Sequence, residues 1–279
     1  MELRTAQRKQ ARIKLGLQGP SGSGKTYSAL LLAYGLTGNW KRIVVIDSES
    51  NSADLYAHLG PYNVLGIGQP FMPEKYIQAI ELCEKAGMQV IILDSISHEW
   101  DGNGGILDIH GSMTGNSFTN WNKVTPRHNA FIQKILQSPA HILATIRSKQ
   151  DYVLSERNGK MVPEKVGLKG VQRDGMDYEL TIVFDLDIKH NCVASKDRTG
   201  LFMDKPSFVI SAETGELIRD WCLGDISLEE VLDRIRHASD LSQLKRLHAE
   251  YPGYRDQILE ALSERKQELT LSATPILKP

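Results

Sequence analysis

The 279-residue chain has little of what marks a secreted, zinc-bound or membrane-spanning protein. Its three cysteines, Cys83, Cys192 and Cys222, lie far apart and outside any CxxC pair, which indicates neither a disulfide framework nor a zinc site. His98, His110, His128, His141 and His190 show no metal-like spacing of the HExxH kind and read as structural or loop residues. The longest apolar runs, such as Ala29–Leu36 and Val90–Leu93, fall well short of the ~20 residues a bilayer crossing needs. The basic N-terminus has no apolar stretch behind it, so it is not expected to be a secretory signal. A reducing cytoplasm fits best, with no membrane partner. An excess of one charge is missing as well. With 33 Lys and Arg against 34 Asp and Glu, the net charge is -1, so attraction to a polyanion must come from local patches. Repeats and low-complexity tracts are absent, and 41% hydrophobic residues suffice for a packed core, which excludes wholesale disorder.

What is present is alternation. Apolar, strand-like runs at Ile13–Gln18, Arg42–Asp47, Val90–Asp94, His141–Ile146 and Leu180–Leu186 are separated by helical patterns at Lys25–Leu36, Pro73–Ala86 and Thr125–Gln137. Short, near-continuous apolar strands are what a parallel sheet covered on both faces requires. The expected fold class is therefore α/β, a three-layer core with a mainly parallel sheet and right-handed crossovers. Shorter β pieces at His190–Ser195, Leu201–Met203 and Ser207–Ile210, with turns at Asp197–Gly200 and Glu213–Gly215, predict an antiparallel extension at one sheet edge. The pattern divides the chain into a basic arm (1–14), a core (15–224), a helical region (225–269) and a flexible tail (270–279). Ser227 ahead of Leu228-Glu229-Glu230 reads as the N-cap that opens the helical region, and apolar spacing there favours packing.

The strongest signal is Gly19-Pro20-Ser21-Gly22-Ser23-Gly24-Lys25-Thr26, a full GxxxxGK[ST] phosphate loop between a strand and a helix. Glycines let successive amides turn inward to cradle phosphate oxygens, and the following helix adds its N-terminal partial charge. Residues Gly19 through Tyr27 are the candidate ATP contacts. Lys25 would reach the β- and γ-phosphates, and the Thr26 hydroxyl would ligate Mg²⁺. Two strands end in acids, Val90–Asp94 and Ile43–Asp47, the second followed by Ser48-Glu49. Asp94 is the candidate magnesium-side carboxylate. Strand alternation puts Asp47 and Glu49 on one side, and either can face the γ-phosphate; Glu49 is the candidate catalytic base.

The phosphate loop, an IDSE strand end with Glu49 24 residues after Lys25, and ILDS at 92–95 together resemble the RecA-like recombinase ATPases. In detail the chain looks closest to the short phage RecA-like proteins of single-strand annealing and recombination. The resemblance covers about residues 10–215. It makes Ile142–Arg147 the fourth core strand, with Thr145 at the sensor position where the family usually has glutamine, and Gln150 five residues later. Lys196-Asp197-Arg198 is similar to the K-x-R element that such proteins insert into a neighbour's nucleotide. That likeness implies a homo-oligomer, ring or filament, with Lys196 and Arg198 acting in trans.

Two segments read as long loops at the ligand edge. Asp101–Thr125 is rich in Gly, Asn and Ser and includes Phe118 and Trp121. Arg147–Arg173 carries seven basic residues against Asp151, Glu156 and Glu164. Lys149, Arg157, Lys160, Lys165, Lys169 and Arg173 are the candidate contacts to DNA phosphates, and Trp121, Phe118 or Tyr152 could stack bases. Arg4, Arg8, Lys9, Arg12 and Lys14 make the N-terminal arm a segment that contacts DNA or an adjacent subunit, or a plain solvated arm. The function expected is that of an ATP- and Mg²⁺-dependent ATPase that binds single-stranded DNA in recombination or annealing, with a single-strand-binding protein as a candidate partner. A helicase, helicase loader or other DNA motor is one alternative, and an ATP-binding switch or scaffold with little turnover is another.

Overall fold

A computed structural model describes residues 11–157, 160–224, 227–251 and 254–272, without the side chains of 150–168, 249–250 and 271–272. The chain divides into two compact units, Arg12–Arg219 and a helical unit from Asp220 onward. In the first, Ile43–Asp47 (β2) and Val90–Asp94 (β4) are buried along their whole length, as strands covered on both faces must be. With β1 (Lys14–Gly19), β3 (Asn63–Gly66), β5 (His141–Arg157) and β7 (Ile182–Leu186) they run parallel. β6 (Lys160–Gly170), β8 (Asn191–Asp197) and β9 (Phe208–Val209) are antiparallel to their neighbours. The nine-stranded sheet has the order β3-β2-β4-β5-β1-β7-β8-β9, with β6 paired to β5 alone.

Helix α1 (Lys25–Thr37) covers one face and buries Leu30, Leu32, Ala33 and Leu36. α2 (Pro73–Lys85) and α5 (Ser117–Gln137) cover the other, where Tyr76, Ile80, Phe131 and Ile135 pack on Val44, Ile46, Ile91 and Ile142. These are the three layers expected of the core. Between β4 and α5 lie α3 (Ser97–Asp101) and α4 (Ile106–Ser112), while α6 (Met176–Glu179) precedes β7 and α7 (Ala212–Leu223) follows β9. The order places β5 between β1 and β4, in register with both, so its carboxyl end emerges between the phosphate loop and Asp94. The phosphate loop, Asp94 and the end of β5 thus meet at one edge, where open α/β sheets bind ligands.

Several elements differ from the sequence expectation. α5 begins at Ser117 rather than Thr125: Asn116 Oδ1 accepts from the amides of Phe118 (2.9 Å) and Thr119 (3.3 Å), and the helix runs through Pro126. Pro126 suggests a helix start because proline suits a first turn, but tertiary packing carries the helix past it. The expected loop over Asp101–Thr125 contains the last residue of α3, all of α4 and the start of α5. Arg147–Arg173 is no loop either, since most of it is the antiparallel ribbon β5–β6, paired from Ser148↔Gly170 to Arg157↔Lys160. Leu201–Met203 forms a turn in place of a strand, because the Asp197 carboxylate collects the amides of Thr199, Phe202 and Met203. Glu213–Gly215 lies inside α7. The exposed four-residue edge strand β3 carries too little apolar signal to be read from sequence. Lys14, expected in a basic arm, is buried in β1, where its ammonium donates to Ser138 O (2.8 Å) and Ala140 O (2.6 Å). Residues 1–10, with Arg4, Arg8 and Lys9, and the tail from 273 lie outside the described residues.

The second unit comprises α8 (Leu228–Arg236), α9 (Leu241–Glu250) and α10 (Arg255–Ser272) around Val231, Ile235, Leu244, Leu247, Tyr251 and Ile258. Ser227 caps α8 in a reciprocal pair: its hydroxyl accepts from Glu230 N (3.2 Å) and Glu230 Oε2 accepts from Ser227 N (3.3 Å). Among the described residues no helix is long and apolar enough to cross a membrane.

Candidate active site

The loop Gly19–Thr26 leaves β1 and enters α1 through two left-handed residues, Gly22 (φ 82°) and Gly24 (φ 84°). A side chain at 24 would be strained by that backbone and would also meet His190 Nδ1 at 3.0 Å. His190 closes the loop from the β7–β8 turn, its Nδ1 3.1 Å from Ser23 O. The first amides of α1 have no acceptor within the helix, so they are free for an anion.

A cleft of about 870 Å³ opens above the loop, lined by Ser21, Gly22, Gly24, Lys25, Thr26 and Tyr27 together with Glu49, Tyr56, Asp94, Arg147 and His190. Pro20 and Ser23 are outside this lining. The Pro20 carbonyl holds the lysine, and Ser23 is fully buried with a hydroxyl that has no hydrogen-bond partner. Lys25 Nζ bends back to Gly19 O (2.9 Å) and Pro20 O (2.8 Å). Burial lowers the Lys25 pKa, against the pull of Asp94 and Glu49.

Asp94 is held by two hydroxyls. Thr26 donates to Oδ2 at 2.7 Å and Thr145, fully buried on β5, donates to Oδ1 at 2.5 Å. Burial pushes the Asp94 carboxyl above the usual carboxylate range, and the two hydroxyls oppose that push. Ser48 stitches the ends of β2 and β4: its amide donates to Asp94 O (2.7 Å) and its hydroxyl accepts from Ser95 N (2.9 Å). Thr145 therefore positions the aspartate and does not itself line the cleft.

The two acids at the end of β2 separate in role. Asp47 is buried, and its oxygens accept from Glu49 N (2.6 Å) and Ala53 N (2.9 Å), so it shapes the turn and faces no ligand. Strand alternation fails as a guide here because the strand ends at Asp47 and the chain turns through left-handed Ser50 and Asn51. Glu49 is the acid that lines the cleft. Arg147 Nε donates to its Oε1 at 2.8 Å, Arg147 Nη2 donates to its Oε2, and Ser95 Oγ donates to Oε1 at 3.0 Å. Burial alone would raise the Glu49 pKa, but the Arg147 and Ser95 bonds outweigh it and hold the carboxyl below its ordinary value. Sequence reasoning gave Arg147 no role at this site. The available signal was its i+2 relation to Thr145 on one strand.

Other candidate residues fall elsewhere. Lys196 is the penultimate residue of β8 and Arg198 follows the strand, at the sheet edge opposite the phosphate loop. Lys196 Nζ donates to Asp177 O (2.8 Å) and to Tyr178 O, and Arg198 Nη2 donates to Tyr178 O (2.9 Å). Neither lines this chain's own cleft. Lys149 and Lys169 are exposed at the root of the β5–β6 ribbon beside half-buried Arg173. The side chains of Gln150, Tyr152, Arg157, Lys160 and Lys165 lie outside the described residues.

The site suits a nucleoside triphosphate with Mg²⁺. The buried Ser23 hydroxyl lacks a partner, the loop needs glycine geometry at two positions, and the lysine is satisfied only by its own loop. Thr26 and Asp94 offer hard oxygen ligands of the kind Mg²⁺ takes alongside phosphates and water. Among the described residues no three His, Cys, Asp or Glu side chains gather into a separate metal site. Tyr27 and Tyr56, with ring centroids 5.9 Å apart, provide an aromatic wall that suits a nucleobase. The family described as AAA domain matches residues 11–209, a stretch that includes β1 through β9. Among curated proteins nothing matches the chain.

Proposed function

The chain belongs to the AAA-domain family of P-loop ATPases, and from that premise we propose that it is an oligomeric, RecA-like ATPase that binds single-stranded DNA in recombination or strand annealing. The observation that carries the reading is one of continuity. Thr145 and Arg147 touch Asp94 and Glu49, and the same strand continues directly into the ribbon that carries the excess of basic residues. Nucleotide state and ribbon position are therefore linked through a single backbone. The root of the ribbon is fixed on the nucleotide side by Arg147 N donating to Ser97 Oγ (2.9 Å).

Lys25, Thr26 and Asp94 would hold the Mg²⁺-triphosphate, and Glu49 would orient and deprotonate the attacking water. Bound Mg²⁺ supplies Lewis-acid polarisation and neutralises phosphate charge. In the resting geometry both Glu49 oxygens are engaged, so turnover requires Arg147 to release the base. Lys196 and Arg198, remote from their own cleft, are assigned to a neighbouring subunit's nucleotide. The same engaged Glu49 favours a second reading, a nucleotide-dependent switch with little turnover.

Gel-shift titration of labelled single-stranded oligonucleotide, with and without a non-hydrolysable ATP analogue, tests the reading. The proposal expects an ATP-dependent shift at moderate salt. No shift at any nucleotide state leaves the switch. Translocation on a forked duplex would instead make the protein a motor.

A further inference from the structure

A second concavity, about 560 Å³, opens between α3, the start of α5 and the root of the β5–β6 ribbon. One wall is an aromatic shelf. Trp100 and Trp121 lie nearly parallel at 21° with centroids 6.1 Å apart, and His110 stacks on Trp121 at 4.1 Å. Rings that merely filled a core would be covered, yet both indoles are only half-buried and both line the opening.

The opposite wall is cationic. Lys149, Lys169 and Arg173 line the cleft together with Asp101 and Asp174, which leaves one positive charge in excess. Lys169 pairs with Asp174 at 2.6 Å, and Arg173 Nη1 donates to Asn129 Oδ1 at 3.4 Å. Lys149 stands exposed at the rim. The floor is rigid: buried Gln172 donates to Ile96 O (3.0 Å) and Glu99 Oε2 (3.4 Å), and Glu99 meets His128 at 3.1 Å. Trp100 rests edge-on against that His128 ring, 5.4 Å between centroids, so the shelf is held in place before any ligand arrives.

A flat π-surface beside an exposed ammonium fits a ligand that is flat and anionic at its rim. We propose that this cleft is a base-stacking subsite, in which one unstacked base of a single-stranded nucleic acid lies on the Trp121–Trp100 shelf and its phosphate meets Lys149. A strand is favoured over a free nucleotide because the cationic wall is the root of the basic ribbon itself. The inference deepens the DNA reading above and rests on it. Aromatic stacking of a base contributes about 1–3 kcal/mol, which corresponds to roughly a 5- to 150-fold change in affinity.

The test uses the full chain with magnesium and a non-hydrolysable ATP analogue, titrated with oligo-dT, with anisotropy and intrinsic tryptophan emission read together. Expected are saturable tryptophan quenching with the same midpoint as the anisotropy change, and no quenching by an abasic oligomer of equal length. Trp121→Leu should weaken binding at least 5-fold, while Trp121→Phe, which keeps a ring, should stay within about 3-fold of the parent. Lys149→Ala should flatten the salt dependence of binding. Normal oligonucleotide affinity without quenching in the parent protein would overturn the subsite and leave the DNA reading intact. Saturable quenching by thymidine monophosphate but not by the oligomer would overturn the strand as occupant. No anisotropy change with any oligomer would remove the DNA reading and this subsite together.

Discussion

Replacing Thr145 with valine removes one hydroxyl and almost nothing else, because the two side chains share a branched shape. The hydroxyl donates at 2.5 Å to Asp94, and both groups are buried, so no water replaces it. A hydrogen bond to a charged group contributes about 1.5–3 kcal/mol to stability. At about 2–4 °C per kcal/mol for a unit of this size, Thr145→Val should melt about 3–12 °C below the parent at a pH where Asp94 is ionised. The deficit should depend on pH. Burial already raises the Asp94 pKa and the hydroxyl opposes that, so the variant's carboxyl titrates higher still. The bond stabilises the ionised acid, hence the deficit is full where Asp94 is ionised and shrinks as pH falls through its titration. Differential scanning fluorimetry across a pH series reads both effects, with Thr145→Ser as the variant that restores the donor. A valine variant as stable as the parent at every pH, or a serine variant no better than valine, would refute the account of the aspartate.

Three further outcomes follow from the same geometry. Glu49→Gln should keep nucleotide uptake while single-turnover hydrolysis falls about 10²–10⁴-fold; full activity would remove Glu49 as the base. Arg147→Ala should cost less than about 1 kcal/mol of stability, since its side chain is 47% exposed. It should also raise hydrolysis in the absence of DNA and abolish stimulation by oligonucleotide, and retained stimulation would contradict the release step. His141 is pushed down to about 3 by burial and by Arg12 and Lys14, and Lys14 is lowered to about 8 by burial and Arg12. The unfolded chain therefore binds more protons than the folded one between pH 3 and 6.5 and again between 8 and 10.5. Stability should fall as pH drops below 6.5 and rise as pH climbs above 8, and His141→Gln should flatten the acid limb of a urea-denaturation series.

Much of the core was legible because its signals are local. The phosphate loop lies within eight residues, and β2 and β4 announce themselves as unbroken apolar runs ending in acid. What escaped depends on contacts between distant segments. Arg147 acquires its role only because β5 is inserted beside β4, which brings it to Glu49 across 98 positions. Asp47 looks like a ligand until Ala53 folds back over it. The ribbon was hidden because a mixed polar and apolar stretch between Ser148 and Gly170 reads equally well as a loop, and pairing alone makes it two strands. Trp121 stands out in sequence as a candidate for base stacking but Trp100 does not, and their pairing depends on α3 meeting α5.

Isothermal titration of Mg²⁺-ATP into the purified chain and into Lys25→Ala puts the grip of the phosphate loop to the most direct trial. One site per chain is expected in the parent, with affinity about 10- to 100-fold weaker once the ammonium is gone, the loss of one or two charge-assisted hydrogen bonds. Absence of magnesium-nucleotide heat in the parent, or equal affinity in the two proteins, would contradict the account at its root.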